Sequence, residues 1–289
     1  MLIEHGVPHS LGASTTILRM LPSISAKHSP SLNRKDKFIM ALKGLQSIDS
    51  LRVPIPVDQP PFVADKRRNY VGFDCLAFSY KTDGNLAAKM MPEVFELEDN
   101  PICMLAFNSF SYGNPGPYYE VMQSIQCRYR DETFFYLVRL YLNSLVPILA
   151  AREWIGFPKL DGHITFDRHK AGGVLSARLE RPEGILLASA VFRPDVYVGP
   201  MPERKNISWG LRVIPGLALN SKPVVCELVR METTQVGGTV WTGAGNPFFT
   251  GASEVDPLHR LPVKEMVSAF YVRNSDLSMV WTGDSVSLI

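Results

Sequence analysis

The amino-acid sequence predicts a mainly β chain: a closed antiparallel sheet with a few flanking helices, preceded by an amino-terminal arm. Short runs with loose apolar and polar alternation recur from Tyr70 to Tyr271, each bounded by Gly, Pro, Asn or Asp. Helical spacing or capping appears in only three short stretches, near Asp36, Asp83 and Pro147. A composition of 46% hydrophobic and 20% charged residues is that of a globular chain long enough to bury a sizeable core.

Taken in order, residues 1–35 mix Ser, Pro and His with isolated apolar residues and read as an arm ordered only against another surface. Asp36 caps a short helix with Phe38, Leu42 and Leu45 on one face, and a stiff Pro-rich segment, Val53 to Pro61, follows. This places an arm with its helix and linker at 1–62 and the main domain at 63–289. Tyr70–Tyr80 reads as a strand, and Asp83 caps a helix carrying Leu86 and Met90 that Pro92 stops. Ile102–Phe107 is a buried strand, 113–117 a turn, and Tyr118-Tyr119-Glu120 opens the next strand. Alternation resumes over Phe134–Leu142, Asn143 and Ser144 turn the chain, and Pro147 starts a helix through Arg152. Strands then follow over His163–Phe166, Val174–Leu179, Gly184–Phe192, Trp209–Ile214, Val224–Met231 and Thr239–Thr242. The segment Val263–Tyr271 fits helix or strand.

Charge and motifs exclude several functions. A net charge of +2 from 30 basic and 28 acidic residues gives no footprint for nucleic acid. No run of about 18 apolar residues occurs, and prolines and polar residues break the first thirty positions before a signal-peptide core forms, which predicts a cytoplasmic protein without membrane association. Cys75, Cys103, Cys127 and Cys226 stand far apart, with no Cys-x-x-Cys pair and no histidine at ligand spacing, so neither disulfides nor a metal are expected. Walker, dinucleotide and serine-hydrolase motifs are missing, and no cofactor is expected.

The stretch Arg152-Glu153-Trp154-Ile155-Gly156-Phe157-Pro158-Lys159-Leu160 sets one lysine among apolar residues after a glycine and a proline. Pro158 pushes Phe157 toward extended geometry and starts a strand at Lys159. Two readings stay open on these residues alone. Lys159 either lays its stem over Trp154 and Phe157 with its head in water, or points inward as an amine whose burial disfavours the charged form.

The segment resembles the active-site stretch of the acetoacetate decarboxylase family, whose Schiff-base lysine follows Arg-Glu-x-x-[Gly/Ala]-[Tyr/Phe]-Pro; the matching residue is Lys159. Tyr80-Lys81-Thr82-Asp83 through Met91-Pro92-Glu93, Ile214-Pro215, Val225 to Leu228, Val240 to Gly243 and Leu261 to Ser268 match the family in order, so the resemblance covers roughly residues 70–275. It implies a cone-shaped barrel with outer helices and a pocket inside, assembled as a homo-oligomer, with 263–271 a strand. It also implies that Glu120 faces Lys159, with Tyr118 or Tyr119 assisting proton transfer, and it makes Phe157 a pocket residue. Arg152 and Glu153 read as orienting the lysine strand through a salt bridge.

Three positions depart from the family. Its activating second cation falls on Leu160, its substrate-facing arginine on Phe73 and its second pocket glutamate on Leu105, with Arg67 or Arg68 replacing the arginine if the register slips. Such a pocket suits a larger, apolar, polyketide-type ketone or β-keto acid of specialised metabolism rather than acetoacetate. The expected function is a Schiff-base lyase acting by decarboxylation or by aldol chemistry with dehydration. The alternative is a protein of the same fold that binds or shapes a hydrophobic ligand without covalent chemistry. With Leu160 beside the amine, Leu160→Lys would lower the pH of the activity limb.

Overall fold

The computed structural model describes residues 43–289 apart from 52, 53, 66, 169–172, 251 and 252. The arm and most of the Asp36-capped helix lie outside the described residues. The chain divides into two units, Met1–Leu45 and Gln46–Ile289. The second unit opens with a one-turn 3₁₀ helix, Ile48–Ser50, and residues 54–65 of the Pro-rich segment have no regular structure.

Among the described residues, thirteen strands share one sheet. In chain order they are β1 (Arg67–Lys81), β2 (Ile102–Phe110), β3 (Tyr112–Gly113), β4 (Tyr118–Tyr129), β5 (Glu132–Leu142), β6 (Lys159–Asp161), β7 (His163–Asp167), β8 (Leu175–Glu180), β9 (Leu186–Pro200), β10 (Arg204–Ile214), β11 (Val225–Val236), β12 (Thr239–Phe249) and β13 (Glu265–Ser287). Two short helices interrupt them, α1 (Gly84–Ala88) and α2 (Leu145–Ala150). The first is shorter than its spacing predicts. Asp83 still caps it, Oδ1 accepting from the amides of Asn85 and Leu86 at 3.0 and 3.2 Å. No helix among the described residues is long and apolar enough to cross a membrane.

Neighbouring strands run β6-β5-β4-β2-β1-β13-β12-β9-β8-β7, all antiparallel except the parallel pair β5 and β6. The two ends of this strip, β6 and β7, are consecutive in the chain and separated by Gly162 alone. The covalent chain therefore brings the ends together. Gly162 sits there because a Cβ would press on the side chains of Leu179 and Tyr141, at 2.9 and 3.2 Å. The ambiguous segment 263–271 resolves as strand. It belongs to β13, whose first half pairs with β12 and whose second half pairs with β11, so one strand joins the main strip to the β10 and β11 hairpin.

Strand alternation gives the sheet two unlike faces. Cys103, Leu105 and Phe107 of β2, Val121 and Ile125 of β4, and Leu76, Phe78 and Tyr80 of β1 join Leu179 and Phe192 in the main hydrophobic cluster, all shut from solvent. The intervening residues Met104, Asn108 and Phe110, with Tyr118, Glu120 and Met122, face a cavity of about 760 Å³. The cavity thus lies on the opposite face of these strands from the main core, not within it, and β10, β11, α2 and the turn after it complete its wall.

Candidate active site

The lysine strand is delivered by an irregular helix end. After α2 the backbone widens into a π turn, Ala151–Ile155, that ends on Gly156 at φ 73°, the left-handed region where glycine carries no side-chain penalty. A Cβ at Gly156 would also collide with the backbone of Arg212, so β10 packs directly against this corner. Arg152 does orient the strand, but through a hydrogen bond from Nη1 to the Lys159 carbonyl at 3.1 Å rather than through a salt bridge with Glu153. Lys159 then enters β6 opposite Leu140 of β5.

Lys159 is 8% exposed, and its Nζ lies 2.9 Å from Oε2 of Glu120, itself 5% exposed. Glu120 is held from the neighbouring strand. Asn108 pairs with it in register on β2 and donates from Nδ2 to Oε1 at 3.4 Å. The ammonium also sits 5.7 Å from the centroid of the Tyr118 ring, within cation–π range. Tyr118 stacks on Phe110 at 4.3 Å and its hydroxyl meets that of Tyr70 at 3.4 Å. Burial, then the Glu120 charge, pushes the Tyr118 phenol well above its ordinary value, so it is a neutral hydrogen-bonding group. Cys75, also on the cavity wall, is pushed up to about 12 by burial and stays a thiol.

Of the residues singled out in the sequence, Lys159, Glu120, Tyr118, Phe73 and Phe157 share this cavity. Leu105, Tyr119 and Leu160 do not, and strand alternation is the reason. Leu105 is fully buried in the main core, and Tyr119 and Leu160 pack against that core from β4 and β6. Leu160→Lys is therefore expected to leave the pH limb of activity where it is, because the new cation stands on the far face of β6. A limb displaced to lower pH would place position 160 beside the amine after all.

Alternation on β1 also decides between the two candidate arginines. Arg67 is exposed, whereas Arg68 is 9% exposed, lines the cavity and sets its guanidinium carbon 5.9 Å from the centroid of Trp281. No carboxylate among the described residues forms an ion pair with Arg68. The sequence reading also missed Asn108, Tyr70, Met122, Met231, Met279 and Trp281 as cavity residues. Asn108 could have been found from its pairing with Glu120 once two adjacent strands were assumed; Met279 and Trp281 lie in the part of β13 beyond the segment read as strand.

The model of the acetoacetate decarboxylase family matches residues 53–284. The chain belongs to the acetoacetate decarboxylase family. Among its relatives, Decarboxylase DEC1 of Cochliobolus heterostrophus is 30% identical over 241 residues, spanning 82% of this chain and 95% of the relative. Acetoacetate decarboxylase of Acidiphilium cryptum is 26% identical over 234 residues, spanning 75% and 88%. The crystal structure of acetoacetate decarboxylase from Legionella pneumophila superposes with a TM-score of 0.70 at 20% identity, covering 86% of this chain and 98% of that one. This family member is mainly β and carries the family fold, with relatives that are decarboxylases.

Proposed function

We propose that this member of the acetoacetate decarboxylase family is a Schiff-base lyase that decarboxylates a β-keto acid larger and more apolar than acetoacetate. The observation that carries the reading is the Lys159 and Glu120 pair, 2.9 Å apart and nearly shut from water on the wall of a cavity of about 760 Å³. Glu120 takes a proton from the ammonium, and the freed amine of Lys159 adds to the substrate ketone with loss of water to give an iminium. The bond from the α-carbon to the carboxylate then breaks. Carbon dioxide leaves, the electron pair neutralises the iminium nitrogen as an enamine, and Glu120, whose first proton left with the water and which takes another from solvent, protonates the α-carbon. Water hydrolyses the resulting iminium, releasing the ketone and the Lys159 ammonium. Tyr118, kept neutral, and Tyr70 supply hydrogen bonds along the way.

Two features support an anionic head and an apolar tail. The guanidinium of Arg68, without a carboxylate partner among the described residues, offers the substrate carboxylate a charge-assisted partner in the same cavity as the amine. Met122, Leu137, Met279, Trp154 and Trp281 provide the apolar wall, and a cavity of this volume suits ligands much larger than acetoacetate. Carbon dioxide release from a series of β-keto acids tests this, with kcat/KM expected to rise with chain length. Arg68→Met should raise KM for the acids about tenfold or more. Aldol or dehydration products without carbon dioxide would replace decarboxylation by the other chemistry open to the same iminium.

A second reading rests on the ion pair itself, since an ammonium locked to Glu120 is no nucleophile. The protein would then bind or shape an apolar ligand, and saturable ligand binding without any trapped imine would mark that outcome. We also propose a homo-oligomer: Val196, Tyr197 and Val198 of β9 are successive apolar residues each more than half exposed, a patch that a second copy would cover. Light scattering at micromolar concentration should give a multiple of the chain mass, and a single-chain mass would overturn this.

A further inference from the structure

Behind the lysine strand lies a second cavity of about 460 Å³, on the face of β5 and β6 that looks away from the active site. Its polar wall is wholly cationic. Lys89 just beyond α1, Arg139 of β5, Arg152 of the π turn and Arg260 all border it, and no carboxylate among the described residues does. Leu160 and Pro158, the residues flanking Lys159, form part of its floor.

Four like charges around one cavity repel one another, and a half-buried guanidinium without an anion is costly to keep desolvated. Arg139 is half-buried and meets the Met90 sulfur at 3.7 Å and the neighbouring Tyr141; burial, with Arg260 adding to it, draws its guanidinium below the ordinary value against the pull of Tyr141 and Asp256. Asp256 does not serve the cavity. Its carboxylate is already engaged by Arg181 at 2.8 Å and by the Tyr141 hydroxyl at 3.1 Å. Arg260 pairs with Glu254, which lies outside the cavity wall. Arg152, which also borders the cavity, gives one of its five donors to the Lys159 carbonyl.

We propose that this cavity is a binding site for a compact multivalent oxyanion, a phosphate-bearing or polycarboxylate ligand, seated between Arg139, Arg260, Lys89 and Arg152. Arginine forks match the geometry of both oxyanion types, and the volume accommodates more than a single small ion. The site is separate from the amine, since Leu160 and Lys159 alternate to opposite faces of β6. Arg152 touches both the cavity and the lysine backbone.

Titration calorimetry on the full chain, with pyrophosphate and citrate as separate probes against sodium chloride of equal ionic strength, tests the proposal. At least one probe should bind with one site per chain, and which of them binds more tightly separates phosphate from carboxylate ligands. Lys89→Ala with Arg260→Gln, both exposed and tolerant positions, should weaken it at least about tenfold. Arg139→Met should do the same, and a variant that fails to fold leaves the exposed pair to decide. Arg68→Met and Lys159→Ala should leave binding unchanged. Absence of binding by both probes overturns the site, as does binding lost in Arg68→Met, which would assign the anion to the active-site cavity. Because the readout is heat and not turnover, its failure is distinct from a failure of the decarboxylase reading.

Discussion

Lys159→Ala is expected to abolish both turnover and covalent trapping, the largest effect of any single substitution in this protein. With a ketone substrate or analogue and borohydride, the wild-type chain should gain a stable secondary amine on the peptide containing Phe157-Pro158-Lys159. The variant should gain none. Lys159→Arg should fail equally, because a guanidinium stays protonated and forms no imine. The side chain borders an existing cavity rather than packed core, so its truncation enlarges that cavity and leaves the fold in place. Circular dichroism checks this. Trapping on another lysine, or full activity in Lys159→Ala, would remove the Schiff-base mechanism and leave the ligand-binding reading.

Glu120→Gln should separate proton handling from imine formation. A carboxamide keeps the shape and the Asn108 side of the site but accepts no proton, so kcat should fall by about 10²–10⁴, the usual weight of one general acid–base group. Trapping should persist. An opposite charge favours the charged form of a neighbour, so its removal favours the neutral amine, and the pH at which trapping is half-maximal should drop. Removing one partner of this buried pair should also lower the melting temperature, since a buried unpaired ammonium costs about 3–5 kcal/mol. Undiminished kcat, or a trapping limb moved to higher pH, would take Glu120 out of the proton path.

Much of this protein was legible in its residue order. Glycine and proline punctuation marked most strands from Tyr70 onward. The family resemblance of the stretch ending in Phe157-Pro158-Lys159 singled out Lys159 as the candidate amine, and the turn before Tyr118-Tyr119-Glu120 marked the start of the strand that carries its ion-pair partner. These are local signals: a turn residue, a cap or a proline acts on its immediate neighbours wherever the strand later goes.

Which face each side chain takes was decided only by the tertiary structure, because alternation assigns residues to two faces without saying which of the two meets the core. Register shifts in β1 on either side of Phe73 change that parity within one strand, sending Arg68, Tyr70, Phe73 and Cys75 to the cavity while Leu76, Phe78 and Tyr80 go to the core. A single step of parity separates Lys159 from Leu160, Glu120 from Tyr119, and Asn108 from Leu105; of the three positions matched to the family by counting along the chain, Phe73 reached the cavity while Leu105 and Leu160, like Tyr119, fell on the core side. The pairing of Lys159 with Glu120, the exposure of Arg67 against the burial of Arg68, and the part of β13 that brings Met279 and Trp281 to the cavity all depend on strands distant in sequence. No residue carries a local mark of such a neighbour: the contact exists only once the sheet has set its register.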